Sequence, residues 1–349
     1  MSEAPARILV RCPNPVGDAV MATPALRALR TAHPAAEIAL LGPPQHAGLL
    51  RDVPHFDEFL PVRGRTVADI WRRARELRAR RFDWAVILPD SPRTAIEAWL
   101  AGVPRRAGYA RDRLRRAMLT DWLPPPTENG RRVAISMIER YQRITRLLGV
   151  ADAGLTTDLC VHDPPRERVA AQLARHGAGD AAILLVTPGA SYGASKLWPP
   201  AYFAEACDAI AKRHGLLPVI LPAPSAQEQA IAAEVASRVT GSRVLAEPGS
   251  LEDLKAMVER CTLLLTNDTG PRHVAVALGR PVVTVMGPTD PRHTNHLLER
   301  QRVLVEDVAC RPCGLSRCPI DHRCLVRLHP RRAVEAAAEL LAQAAGPAR

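Results

Sequence analysis

The chain has 349 residues, 47% of them hydrophobic, which is enough material for two α/β domains with a core each. Its formal net charge is +11, carried almost wholly by arginine, with Lys196, Lys212 and Lys255 the only lysines. Aromatic residues make up 4%, which argues against stacking single-stranded nucleic acid on aromatic platforms, and no run of eighteen apolar residues exists to cross a bilayer as a helix.

The opening MSEAPA leads straight into RILVRC (7–12), a short buried strand, with no basic stretch, apolar segment and cleavage site before it. That start predicts a cytoplasmic protein, whose eight cysteines are thiols or metal ligands more than disulfides. A loop PNPVGDA follows, then a helical spacing of Val20, Leu26 and Leu29, and then strands at EIALLG (37–42) and WAVILPD (84–90). Arginine is concentrated on either side of the third of these strands, WAVILPD. Arg63, Arg65, Arg72, Arg73, Arg75, Arg78, Arg80 and Arg81 face only Asp69 and Glu76, and Arg105, Arg106, Arg111, Arg113, Arg115 and Arg116 face Asp112. Such clusters suit a phosphate-bearing partner, although a biased composition alone also produces them. Prolines 124–126 mark a loop, and SMIERYQRITRLLG closes the first half as a helix.

Residues 161–180 read as a linker joined to an amphipathic helix, and a second alternation then begins. AILLVTPGA (182–190), LLPVILPA (216–223), TLLLTND (262–268) and PVVTVMG (281–287) are strands. Helices fall between them, the one at SLEDLKAMVER opening on a Ser250–Asp253 capping pair, and RRAVEAAAELLAQAA is a terminal helix. Alternation at these spacings predicts parallel βαβ units and two doubly wound domains, 1–163 and 164–349.

Ligands of open parallel sheets bind beyond the carboxyl ends of the strands, where helix N-termini offer free N–H groups. Three loops at such ends carry chemistry. In TPGASYGASKLWP, Thr187, Ser191 and Ser195 supply hydroxyls, Gly189 and Gly193 allow close backbone approach, and Lys196 is a compact ammonium in an arginine chain. In the stretch after the third strand, Thr269, Gly270 and the turn PRHV present N–H groups to a phosphate, Asp268 accepts from sugar hydroxyls, and His273 lies on the loop side. For Asp268 plain helix capping is the simpler reading, as a core imidazole is for His273. Asp18, after Gly17 at the entry to the first helix, is either a cap or a general base, and the helix dipole keeps it ionised. The sequence contains no G-x-x-x-x-G-K-[ST], G-x-G-x-x-G after a strand, or H-E-x-x-H.

Taken together, ILVRCPNPVGDAVMATPALRALR, PGASYGASKLWPPAYFAEACDAI and TNDTGPRHVAVALGRPVVTVMGPTDP resemble the ADP-heptose:lipopolysaccharide heptosyltransferases, and CRPCGLSRCPIDHRC resembles the tail of their second branch. The resemblance implies a GT-B architecture, two Rossmann-like domains facing across a cleft, with the lipid-linked acceptor on the first and the nucleotide-sugar donor on the second. It implies inverting transfer of heptose from ADP-L-glycero-D-manno-heptose to the heptosyl-Kdo2-lipid A inner core, with no metal or other cofactor needed for catalysis. Asp18 then matches the general base, Lys196 the donor-phosphate lysine and Asp268 the acid that binds the heptose. Thr187, Gly189, Ser191, Thr269, Gly270 and His273 complete the donor site, and Asn14, Gly17, Arg105 and Arg106 contact the acceptor. The one departure falls at LPAPSAQEQ, where some members carry an acid for the adenosine ribose and Glu228 is an out-of-register match. The anionic acceptor implies a peripheral position at the inner face of the inner membrane and no nucleic-acid partner.

Cys310, Cys313, Cys318 and Cys324 lie close together beside His322. Four thiols at short spacing suit a structural zinc, although the spacing is not that of a standard two-by-two knuckle, and reduced packing cysteines or a redox-labile pair fit equally. The near alternative for function is a related transferase that adds the first heptose or uses another sugar or acceptor. A sugar-nucleotide epimerase of similar build is disfavoured, because the PVGDAV loop and the tail match the transferases. The distant one is a basic nucleic-acid-binding protein.

Overall fold

The protein was analysed as a computed structural model, which describes residues 4–64, 66–128, 130–241 and 243–345. Arg65 of the first arginine cluster lies outside them. The chain forms two compact units, Met1–Asp158 and Leu159–Arg349. The sequence reading divides it slightly later, at 163/164, where the first helix of the second unit starts.

The first unit begins with β1 (Arg7–Arg11), α1 (Val16–Met21), α2 (Thr23–Ala32), β2 (Glu37–Gly42), α3 (His46–Leu49) and β3 (Glu58–Pro61). It continues with α4 (Val67–Ala79), β4 (Trp84–Ile87), α5 (Pro92–Leu100), β5 (Arg105–Tyr109), α6 (Arg113–Met118) and β6 (Asp121–Leu123). A short antiparallel pair, β7 (Thr127–Glu128) and β8 (Arg131–Arg132), precedes α7 (Met137–Arg146). The main sheet is parallel in the order β3-β2-β1-β4-β5-β6. Strand order reverses between β1 and β4, so the loop leaving β1 opens at a topological switch point. Right-handed crossovers put α4, α5 and α6 in one layer, where neighbours pack together, and α2 packs with α7 on the opposite face.

The second unit repeats the plan. It runs α8 (Asp163–Arg175), β9 (Ile183–Thr187), α9 (Pro200–His214), β10 (Leu217–Ile220), α10 (Ala226–Arg238), β11 (Val244–Leu245) and α11 (Leu251–Arg260). Then come β12 (Leu263–Asn267), α12 (Gly270–Ala277), β13 (Val282–Val285), β14 (Gln301–Leu304), α13 (Arg323–Val326) and α14 (Pro330–Ala345). Strand order is β11-β10-β9-β12-β13-β14, all parallel, and the reversal falls between β9 and β12. Leu184, Leu185, Leu264 and Leu265 are wholly buried because helices cover both faces, which is why these strands read as continuous apolar runs. Ser250 and Asp253 form the expected capping box on α11.

The arginine runs divide in a way composition does not show. Much of 63–81 is α4, opened by a Thr66–Asp69 capping box. Its Arg73 is buried and pairs with Glu97 at 2.8 Å, Arg80 pairs with Glu58, and Arg78 donates to the Leu100 carbonyl at 2.9 Å. In the second run Arg115 is fully buried and donates to the carbonyls of Tyr109, Ser91 and Pro89. Arg105 binds Asp121 and the Leu147 carbonyl, and Arg106 donates to the carbonyls of Met118, Val103 and Pro104. In a chain with so few lysines, arginine has taken the work of tying loop carbonyls together. Arg105 and Arg106, expected at the acceptor, are thus committed to holding β5 in place.

Candidate functional site

The two loops that flank the second unit's switch point meet. From the β9 loop, a single 3-10 turn at Ala194–Lys196 projects Lys196, whose Nζ donates to Asp268 Oδ2 at 2.6 Å and to the Asp268 carbonyl at 3.0 Å. From the loop after β13, Thr289 Oγ1 donates to the same Oδ2 at 2.6 Å. From α12, Arg272 Nη1 donates to Oδ1 at 3.2 Å. Asp268 therefore receives two cations and a hydroxyl while nearly all of it is buried. Burial, the largest single influence, pushes its carboxyl upward. The charges of Lys196 and Arg272, with hydrogen bonds from Lys196 and Thr289, outweigh it and hold the group below the usual carboxylate range. Asp268 is thus a permanent acceptor and never an acid near neutrality.

This geometry corrects the capping reading of Asp268. The cap of α12 is Thr269, in extended conformation and making no side-chain cap bond. Its side chain thus leaves the first-turn N–H groups of Gly270 and Arg272, with Pro271 between them, uncapped at the positive end of the helix. Thr269 Oγ1 instead donates to the Asn267 carbonyl at 3.3 Å. Asn267, fully buried, ties the two strand ends: its Nδ2 donates to the Pro188 carbonyl at 2.6 Å and its Oδ1 accepts from the Trp198 N–H at 3.2 Å. Thr187 points inward, donating to Thr266 Oγ1 at 2.6 Å, so it braces β9 against β12. Ser191 is exposed at the tip of the loop.

His273 is buried, with its Nδ1 lacking a hydrogen-bond partner, and its ring stacks on His296 at 5.8 Å between centroids. Burial, with the nearby Arg272 charge, keeps His273 neutral, and burial lowers His296 to about 4. Gly189 has a Cα onto which a methyl group would place carbon 2.8 Å from Glu228 Oε1. Glu228, out of register in the sequence, is thus brought by α10 against the β9 loop.

Three contributors, Arg272, His296 and Arg311, were not singled out in the sequence. Arg272 is fully buried and binds Gln301 Oε1 at 3.0 Å, Thr294 Oγ1 at 3.0 Å and Asn295 as well as Asp268. Its spacing of four from Asp268 on a helical turn was the available signal. His296 and Arg311 come from distant segments and gave none, whereas Thr289 was marked by the Gly287-Pro288-Thr289 turn that ends the next strand. Among the described residues, no three His, Cys, Asp or Glu side chains converge to hold a metal ion, the four C-terminal cysteines included. Cys310 and Cys313 are exposed, Cys318 is half-buried and Cys324 is buried.

In the first unit, Asp18 lies in the first turn of α1, half-buried, with its charge felt by Cys12 and Tyr141. Gly17 is buried in α1, and Asn14 is exposed and accepts from Arg11 at 3.5 Å.

Two Rossmann-like units, each with a switch-point loop, and a cation-lined acid at one of them define a GT-B-type glycosyltransferase. The profile of glycosyltransferase family 9 (heptosyltransferase) matches residues 70–323, so the chain belongs to that family. It is 29% identical over 321 residues to lipopolysaccharide heptosyltransferase 2 of Salmonella typhimurium, covering 85% of this chain and 87% of the relative. The corresponding enzyme of Escherichia coli is 28% identical over the same shares. The solved structure of the E. coli ADP-heptose lps heptosyltransferase II superposes with a TM-score of 0.79 at 26% identity, covering 97% of this chain and all of that one.

Proposed function

We propose that this enzyme transfers heptose from an ADP-heptose donor to the phosphorylated, lipid-linked inner core of lipopolysaccharide, as the second heptosyltransferase, with inversion at the anomeric carbon. The observation that carries the reading is the convergence of Lys196, Thr289 and Arg272 on Asp268 at the switch point of the second unit. A permanently ionised Asp268 accepts from donor sugar hydroxyls. Lys196, reaching it from a neighbouring loop, exchanges to the diphosphate and, with the uncapped N–H groups of α12, neutralises charge on the departing nucleotide. That is preorganised electrostatics in place of a divalent ion. Glu228, beside Gly189, accepts from the nucleotide ribose.

On the acceptor side, Asp18 takes the proton from the attacking hydroxyl, with Asn14 and Gly17 shaping its loop. The anionic acceptor meets the exposed Arg111, Arg113 and Arg116 in place of Arg105 and Arg106. No helix among the described residues is long and apolar enough to cross a membrane. Peripheral attachment to the inner face of the inner membrane is supported by the α4–α6 layer. Val67, Trp71, Trp99 and Leu114 are 71%, 53%, 48% and 64% exposed there, among the exposed Arg72, Arg75, Arg113 and Arg116. Aromatic and aliphatic side chains set in arginine suit an anionic lipid interface.

The test is a donor and acceptor screen that follows nucleotide release, run with and without EDTA and beside Asp18→Ala. The reading expects ADP-heptose turnover that survives EDTA and a profound loss in Asp18→Ala. Activity that requires a divalent ion, or an unimpaired Asp18→Ala, defeats it.

A further inference from the structure

The cysteine-rich segment 310–316 has no assigned work, yet it touches both loops that build the donor site. On one side, the Arg311 guanidinium donates from Nε to the Gly287 carbonyl at 2.5 Å and from Nη2 to the Thr289 carbonyl at 2.9 Å. The Gly314 N–H donates to the Pro288 carbonyl at 2.9 Å. Three consecutive carbonyls of the turn that carries Thr289 are thereby held from one short stretch. On the other side, the Tyr192 hydroxyl donates to the Gly314 carbonyl, Ser195 Oγ to the Leu315 carbonyl at 2.6 Å, and the Ser195 N–H to the Ser316 carbonyl at 3.2 Å. Ser195 is the residue before Lys196. Both groups that donate to Asp268 Oδ2 are therefore delivered by loops anchored to one strap.

Two glycines record how close these segments lie, Gly193 to the strap and Gly287 to the other loop. A Cβ on Gly193, whose φ is +147°, would fall 2.3 Å from the Ser316 carbonyl oxygen. A Cβ on Gly287 would fall 3.0 Å from Leu325 and 3.1 Å from the Ser195 carbonyl oxygen. A side chain at Gly193 would lift its loop off the strap, and one at Gly287 would push the two loops apart.

We propose that residues 310–316 form a positioning strap for the donor site, with Arg311 as its positioning residue, fixing where Lys196 and Thr289 meet the donor without touching it. This rests on the reading of Lys196 and Asp268 as the donor site. A planar fork suits the task because it grips two carbonyls of one turn at once, which an ammonium does not do with fixed geometry.

The experiment measures ADP binding by calorimetry, donor and acceptor KM, and melting temperature for Arg311→Ala, Arg311→Lys and Lys196→Ala. Arg311→Ala should weaken ADP binding by about tenfold, less than the full loss of two charge-assisted hydrogen bonds because the freed carbonyls turn to water and only the loop's placement reaches the nucleotide, and raise donor KM in step. Acceptor KM should hold, and Arg311→Lys should recover part of the loss. Should Arg311→Ala also lower the melting temperature, Arg311→Lys, which keeps the charge and the packing, decides by the same split between donor and acceptor KM. Lys196→Ala weakening ADP binding while both Arg311 variants bind it normally overturns the strap alone. Normal ADP binding in all three overturns the donor-site reading and the strap with it.

Discussion

Removing the Lys196 ammonium separates its structural share from its catalytic one. In Lys196→Ala, Asp268 keeps Arg272 on Oδ1 and the Thr289 hydroxyl on Oδ2, so its carboxylate is not left uncompensated. The lost bond is charged on both sides but partly solvated, with the lysine side chain 13% exposed. The stability cost should therefore be about 1–2 kcal/mol, below the 3–5 kcal/mol of an orphaned buried ion. The catalytic cost should be larger, because no water ordered in advance replaces an ammonium aimed at the leaving diphosphate. Deleting one preorganised donor to developing charge costs about 2.7–4 kcal/mol, or roughly 10²–10³ in kcat. Nucleotide release at saturating donor and acceptor gives kcat, and urea unfolding gives stability. A kcat within tenfold of the parent enzyme, at a stability loss of the stated size, would refute the assignment of Lys196 to the transition state.

Arg272→Leu should be far more disruptive to folding, by about 3–5 kcal/mol, because it strips a fully buried partner from Asp268, Gln301, Thr294 and Asn295 together; denaturant unfolding measures this. Stability should also fall on acidification. Burial lowers both His46 and His296 from 6.5 to about 4. Between those pH values the unfolded chain binds protons that the native chain refuses. Each histidine then contributes a slope of up to about 1.4 kcal/mol per pH unit, with stability rising as pH rises. A His46→Gln, His296→Gln double variant should flatten the denaturation profile from pH 6.5 to 4, and an unaltered slope would count against the burial argument. Trp71→Ser with Trp99→Ser should lower co-sedimentation with phosphatidylglycerol vesicles while leaving the melting temperature near that of the parent. Equal binding by the variant would take the α4–α6 face out of membrane attachment.

Much of this molecule is determined locally. Continuous apolar runs such as TLLLTND become strands buried on both faces, and the Ser250–Asp253 box starts its helix, because each rests on side-chain period or a bond over three residues. The loops around Asp18, Lys196 and Asp268 were legible as polar, glycine-bearing turns at strand ends, but their residues alone left capping open, and only the family resemblance pointed from those turns to a site. The arginine runs were not legible. Whether a guanidinium meets solvent, as Arg113 does, or staples three carbonyls from inside, as Arg115 does, depends on which strands and loops surround it. Tertiary structure alone decided that Thr289 and Arg272 would join Lys196 on one carboxylate, that Glu228 would lie against Gly189, and that a cysteine-rich stretch would anchor both loops. Those contacts join segments up to 122 residues apart along the chain. A pattern read over a few neighbours records what each segment prefers, and not which distant segment the sheet order will bring beside it.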